Sequence, residues 1–445
     1  MNRRFYDIHY HLFDLSHPNL LAFLMHEELI SRNSVAKVLK KMPAALYLLP
    51  AGLLHFMKRE ITTRIRNYLR NDAANFRNLL SVMEGAIEYH FLYVEYFLIK
   101  ENRFFGYSAH CRYNKLAVSP LLIDFGYKNL NNSDCFYNLP PGKPVANQVI
   151  DLLNAIYYYY NYDLVLHSDK PGRLMLIKSK RSKDSKLFEF YPFLGINTQN
   201  YDLSEIASLM DKYFRGYECD SSPEVRREKM LGKMGTVRLD MEEMIFHRRE
   251  EDSSDFYSYI FAGIKLYPPL SFDPWPEDDR QELEKVRFLY SECVRRNLPL
   301  TVHCSDGGFN AVDDVAKFTD PSAGWKKVLS RPEFRKLKVN FAHLGREKGD
   351  RTLWLETIIS YIDKNDNIYG DCSCQTPSLE DYRRIRKIID STKETNILFG
   401  SDFIISLLWS KSYNEYLGNF IRTPHLTAWQ KKLMCEINPE KFLFG

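Results

Sequence analysis

His9 and His11, one residue apart in the run F-Y-D-I-H-Y-H, are the first residues of the chain whose types and spacing could do chemistry. In a β-strand, residues i and i+2 face the same way, so both imidazoles can reach one point. Imidazole suits Zn²⁺, Fe²⁺ or Mn²⁺. Alone the pair is a weak signal, because two core or surface histidines would look the same. Later in the chain, short apolar runs end in Lys265, His303, His343, Asp371 and Asp402. Only twelve histidines occur in 445 residues, so their recurrence at successive run ends points to one shared metal site.

Bringing such distant residues together requires elements that converge. Eight apolar runs bounded by turn residues are found at 5–11, 116–125, 188–196, 260–267, 298–304, 337–345, 367–373 and 396–403. Runs apolar on both faces suit buried parallel strands. The residues at positions 265, 303, 343, 371 and 402 lie 38, 40, 28 and 31 apart, the length of one strand, one helix and two loops. Helical spacing of apolar residues over 278–296, 351–363 and 378–391 fills those intervals. Eight such units predict an α/β chain folded as a (β/α)₈ TIM barrel, whose strand ends meet at one active site. A plain barrel needs about 250 residues, leaving roughly 195 for insertions. These fall in the first half, at about 14–114, 127–187 and 200–258, and are mainly helical in pattern. They are expected to form a cap or an oligomer surface on a single domain spanning 1–445.

Composition bounds the partners. Hydrophobic residues at 45% and charged residues at 27% exclude a disordered, collagen-like or disulfide-miniprotein class. A net charge of +4 implies no whole-chain pull toward nucleic acid. Residues 31–70 hold nine Lys or Arg and only Glu60 as an acid. Arg59, Arg64, Arg66 and Arg70 could therefore meet phosphate, although a solvated helical face explains them as well. No apolar stretch reaches the ~18 residues of a membrane span, and no apolar segment follows Arg3 and Arg4 as a signal peptide would require. The eight cysteines include no C-x-x-C, and C-S-C at 372–374 is their only close pair. Free thiols in the cytoplasm are the expectation.

The order D-I-H-Y-H, F-Y-P-F-L-G-I-N, G-I-K-L-Y-P-P, L-P-L-T-V-H-C, F-A-H-L-G, I-Y-G-D-C-S and F-G-S-D-F resembles the amidohydrolase superfamily. It is most similar to the amidohydrolase-related branch that includes aminocarboxymuconate-semialdehyde decarboxylases and pyrone-dicarboxylate lactonases. The resemblance implies His9, His11, His303 and Asp402 as metal ligands, with zinc favoured and manganese or iron as alternatives. It implies Asp402 as the base that takes a proton from an activated water, and His343 as a ligand of a second metal or a group that polarises substrate. Lys265 would be either a carbamylated bridge between two ions or a pocket cation beside one ion, and one ion is favoured. TatD-type nucleases share the histidines but place a Glu near Lys265, which argues against a nuclease. A metal-dependent hydrolase of a small, anionic ester, lactone or amide is the expected function, with Tyr267 as a further pocket residue. The alternatives are non-oxidative decarboxylation of an aromatic or muconate-like acid, and an idle barrel serving as a binding module. Asp7 is a candidate partner of the histidine pair, and the Ser305–Gly308 loop a candidate substrate contact. Asp371 could face the pocket or simply close its strand. Cys304 should point away from the metal. A homo-oligomer is compatible with the insertions, and a membrane partner is not expected.

Overall fold

The computed structural model describes residues 3–14, 79–101, 104–106, 110–125, 145–170, 172–219, 222–238, 257–309, 312, 314–347, 351–374, 379–391 and 396–445. Among these, a parallel sheet is built from β1 (Arg4–Tyr10), β2 (Lys115–Pro120) and β5 (Phe188–Phe190). A second parallel sheet runs in the order β11-β10-β9-β8-β7-β6. Its strands are β6 (Phe193–Gly195), β7 (Gly263–Leu266), β8 (Leu300–Val302), β9 (Val339–Phe341), β10 (Ile368–Asp371) and β11 (Ile397–Leu398). The strands pair in sequence order, with Lys265 opposite Thr301, Thr301 opposite Asn340 and Asn340 opposite Tyr369. Parallel bridges join the two sheets at both edges, Leu121 with Phe193 and Tyr10 with Phe403. At the second edge the Ile8 amide donates to the Phe399 carbonyl at 3.1 Å, and the Asp402 amide to the His9 carbonyl at 2.7 Å.

All eight apolar runs become strands, and the third is divided. Pro192 has no N–H to give a ladder, so the run breaks at Tyr191-Pro192. Its first half, β5, pairs with β2, and its second half, β6, pairs with β7. The helical patterns appear as Arg280–Arg295, Leu353–Ile362 and Leu379–Ser391. The first begins where Asp279 accepts from the Glu282 amide at 3.0 Å, an N-cap that satisfies an otherwise orphan donor.

The described parts of the insertions lean on the sheets. In the helix Val145–Asn161, the Tyr159 hydroxyl accepts from the Phe188 amide at 2.8 Å, and Tyr160 donates to the Phe188 carbonyl at 3.1 Å. The antiparallel hairpin β3 (Tyr162–Leu166) and β4 (Leu174–Lys178) was not expected from the helical pattern. At its end and after it come the basic residues Lys178, Lys180, Arg181 and Lys183, of which the two flanking Ser179 are exposed and the other two are half-buried. Arg181 pairs with Asp163 at 2.6 Å and Glu95 at 2.9 Å, and Lys183 donates to the Leu231 carbonyl. The basic stretch 31–70 lies outside the described residues. No described helix is long and apolar enough to cross a membrane.

The helix His90–Glu101 reaches the end of β1 through His90, whose Nε2 accepts from the Tyr10 hydroxyl at 2.6 Å. Burial lowers the His90 pKa from 6.5 to about 3. The unfolded chain therefore takes up this proton first. Stability held above pH 6.5 should fall by about 1.4 kcal/mol per pH unit on this residue's account as the pH drops toward 3. His90→Gln keeps an acceptor for Tyr10 and cannot titrate. Denaturant melts between pH 7 and 4 should show a shallower loss for His90→Gln, and parallel curves would refute the assignment.

Candidate metal centre

Five side chains from the ends of four strands point their acceptor atoms at one another. His9 lies within β1 and His11 just beyond it. His303 follows β8 directly, His343 lies two residues past β9, and Asp402 four residues past β11. The strands are thus shorter than their apolar runs, because the backbone turns before the functional residue. His343 and Asp402 take left-handed conformations, φ 58° and 56°, which Asp and His tolerate better than most residues. Asp402 Oδ1 is 3.2 Å from His11 Nε2 and 3.5 Å from His9 Nε2. His343 Nε2 is 3.2 Å from His303 Nδ1. All five residues are buried.

The outer nitrogens fix which lone pairs face inward. His11 Nδ1 lies 3.0 Å from the Leu121 carbonyl, and His303 Nε2 lies 3.0 Å from the Gly307 carbonyl. A carbonyl only accepts, so each ring donates there and its other nitrogen is bare. Ser373 gives its hydroxyl proton to Asp371, leaving its oxygen to accept from His343 Nδ1 at 2.9 Å and His9 Nδ1 at 3.1 Å. Asp371 Oδ2 also accepts from His9 Nδ1 at 3.1 Å. Four imidazole lone pairs and a carboxylate oxygen therefore face inward with no proton between them. His9 Nε2 is a buried atom with no hydrogen-bond partner.

Such an arrangement is repulsive without a cation. Four-coordinate zinc, with bonds of about 2.0–2.1 Å, sets its ligand atoms about 3.3 Å apart, close to the spacings above. The donor set fits a divalent ion. Two groups here, His9-His11-Asp402 and His9-His343-Asp371, bring three ligand atoms within 4.8 Å of one another. His303 stands in neither group, and its inward nitrogen meets the centre beside His343.

Charge follows the same logic. Burial lowers His11 despite the adjacent Asp402 carboxylate, and lowers His343 to about 3, so both rings are neutral at pH 7. Burial would raise Asp371, but His9, His343 and the Ser373 hydroxyl outweigh it and hold the carboxylate well below its usual range. Asp402 is likewise raised by burial, and the close approach of the His11, His9 and His343 rings outweighs it and holds the carboxylate below its usual range. Lys265, within β7, is buried with no hydrogen-bond partner for Nζ. Burial brings it down to about 8 against the pull of Asp371 and Asp402. Asp7 braces the strand end, accepting from the Ser401 amide at 2.9 Å and the Tyr413 hydroxyl at 2.8 Å.

A cavity of about 420 Å³ opens over the centre. Ser305, Asp306, Gly307 and Gly308 line it, as does Tyr267. Gly308 is required on two counts. Its φ is +97°, and a Cβ would lie 2.4 Å from the Tyr267 hydroxyl. Cys304 does point away, its sulfur meeting the Thr319 carbonyl at 3.6 Å. Sequence reasoning missed Ser373 and Asn340, whose Nδ2 donates to Asp371 at 2.7 Å. A serine two residues past a strand-end carboxylate was the one signal available. The remaining histidines in described positions, His90, His110, His167 and His425, join none of these groups.

The amidohydrolase family model matches residues 249–445. A search of curated proteins finds no match. Among solved structures, the chain is similar to a probable 2-pyrone-4,6-dicarboxylic acid hydrolase from Acinetobacter baumannii with citric acid bound. Identity is 13% and TM-score 0.38, over 75% of this chain and 84% of that one. It is also similar to a 4-oxalomesaconate hydratase from Rhodopseudomonas palustris, at 13% identity and TM-score 0.37, over 99% of this chain and 95% of that one. The matched stretch contains Lys265, His303, His343, Asp371 and Asp402, and His9 and His11 lie outside it. Residues 249–445, less than half of the chain, are thus what is similar to the amidohydrolase family.

Proposed function

We propose that the chain is a metal-dependent hydrolase of small anionic esters, lactones or amides, built as one eight-stranded barrel whose insertions cap the mouth. The observation that carries this reading is the inward set of bare lone pairs on His9, His11, His303 and His343 beside the Asp402 carboxylate. The bridges Leu121–Phe193 and Tyr10–Phe403, at both sheet edges, support the barrel. His9, His11, His303 and Asp402 would hold a divalent ion, with zinc favoured, which would lower the pKa of a water toward 7. Asp402, ionised and facing the cavity, accepts the proton of the attacking water and returns it to the leaving group. His343 holds its bare Nε2 toward the centre, anchored through Nδ1 to Ser373, and orients the substrate. Lys265 supplies a buried positive charge that a substrate carboxylate satisfies. On the cavity wall, Arg384 has no ion-pair partner among the described residues. The acids Asp306 and Glu347 already lie 3.7 and 3.9 Å from Arg351.

Elemental mass spectrometry on protein purified without chelator or histidine tag tests the core of this reading. One ion is expected at the site of His9, His11, His303 and Asp402, lost in His11→Ala and His303→Ala. No bound ion after reconstitution overturns it. Lactones and carboxylated aromatic acids are the substrates to try, and release of carbon dioxide without uptake of water would replace hydrolysis by decarboxylation.

A further inference from the structure

We propose that Cys374, His343 and Asp402 form a second cation site in the same cavity, selective for thiophilic divalent ions such as Zn²⁺, Cd²⁺ or Co²⁺. Ligand atoms of the three residues lie within 4.8 Å of one another, in a grouping that shares only Asp402 with the one formed by His9, His11 and Asp402. The proposal rests on the cation-binding reading of the pocket and adds to it a sulfur ligand.

The C-S-C segment explains why the thiol is there. Cys372 is buried, Ser373 turns its oxygen to His9 and His343, and Cys374 is half-buried and lines the cavity. The backbone at Cys374 is fixed in a left-handed turn, φ 57°, and its carbonyl accepts from Arg346 Nη1 at 2.8 Å. The other described cysteines take part in no such group. Thiolate favours soft or borderline ions over magnesium and calcium. Zinc–sulfur bonds of about 2.3 Å and zinc–nitrogen bonds of about 2.0–2.1 Å would draw these groups together around one ion. Asp402 belongs to both groups, and a carboxylate with two oxygens can serve two ions, as it does in sites whose metals lie about 3.5–4 Å apart. On binding, the Cys374 thiol loses its proton to solvent and a sulfur–metal bond forms. No electron is transferred.

Metal-free protein is titrated with Co²⁺ alone and followed by near-ultraviolet absorption. The first equivalent should bind without a sulfur-to-cobalt charge-transfer band and be lost in His11→Ala. The second should bring in that band, and Cys374→Ser should abolish the band while keeping the first equivalent. In the unmutated protein, Cd²⁺ should slow iodoacetamide labelling of Cys374, mapped by peptide mass, and leave Cys111 unchanged. This holds the test open if the serine variant folds poorly. A band that persists in Cys374→Ser, a band absent at every loading, or labelling that Cd²⁺ does not slow overturns the proposal. Sulfur-ligated cobalt with no sulfur-free equivalent would sink the hydrolase reading and leave this one standing.

Discussion

Asp402→Asn is expected to lower kcat about 10²–10⁴-fold while leaving the fold intact, because it removes the proton acceptor and little else. Asparagine tolerates the φ of 56° at this position, and the backbone bond from residue 402 to the His9 carbonyl needs no side chain. The stability should change in opposite directions with and without metal. In chelator, the asparagine amide can donate to His11 Nε2 where the carboxylate faced it lone pair to lone pair at 3.2 Å. That exchange should stabilise the metal-free variant by about 1 kcal/mol. With zinc present, the unmutated protein gains the binding energy of the ion and the variant gains less. Thermal melts in chelator and in zinc should therefore cross. Equal zinc-induced shifts together with unchanged turnover would remove Asp402 from both of its proposed roles.

Asp371→Asn should be the second most damaging change, although Asp371 touches no bound substrate. Its two oxygens accept from His9 Nδ1, Asn340 Nδ2, the His343 and Ser373 amides and the Ser373 hydroxyl. An amide puts an NH₂ group against donors whichever way it is turned. At least one end of the network breaks inside a buried site, at a cost of about 1–3 kcal/mol. The freed His9 and His343 rings lose their fixed tautomers, and metal affinity should fall about 10–100-fold. Metal competition against a chromophoric chelator measures this directly. An affinity within twofold of the unmutated protein would make Asp371 a strand-closing residue and nothing more.

Much of this site was legible because its chemistry is carried by rare residues at fixed positions. His9, His11, His303, His343, Lys265 and Asp402 stand at run ends that pattern alone identifies, and the structure gathers them. What was not legible depends on geometry that no local spacing encodes. Ser373 is 364 residues from His9, and only the turn after β10 makes its oxygen the shared acceptor of two imidazoles. Asp371 read equally well as a structural terminus until its five donors were in view. The run 188–196 read as one strand, and neither its break at Pro192 nor the pairing of its two halves with different strands was legible. The β3–β4 hairpin was masked by helical spacing in the residues before it.

The pairing of β1 also dictates when the centre can exist. Its histidines emerge long before their partners, which are Leu121, Ser373 and the 399–403 segment. At about 5–20 residues per second, roughly 20–80 s separate the exit of His9 from that of Phe403. Throughout that interval one edge of the N-terminal strand is unpaired, and such long-range closure is slow and exposed to aggregation. A nascent chain stopped before Phe403 would carry the paired histidines and no centre. The ribosome must add everything from β1 to Phe403 before His9 and His11 can work, which makes this strand a natural client for a chaperone.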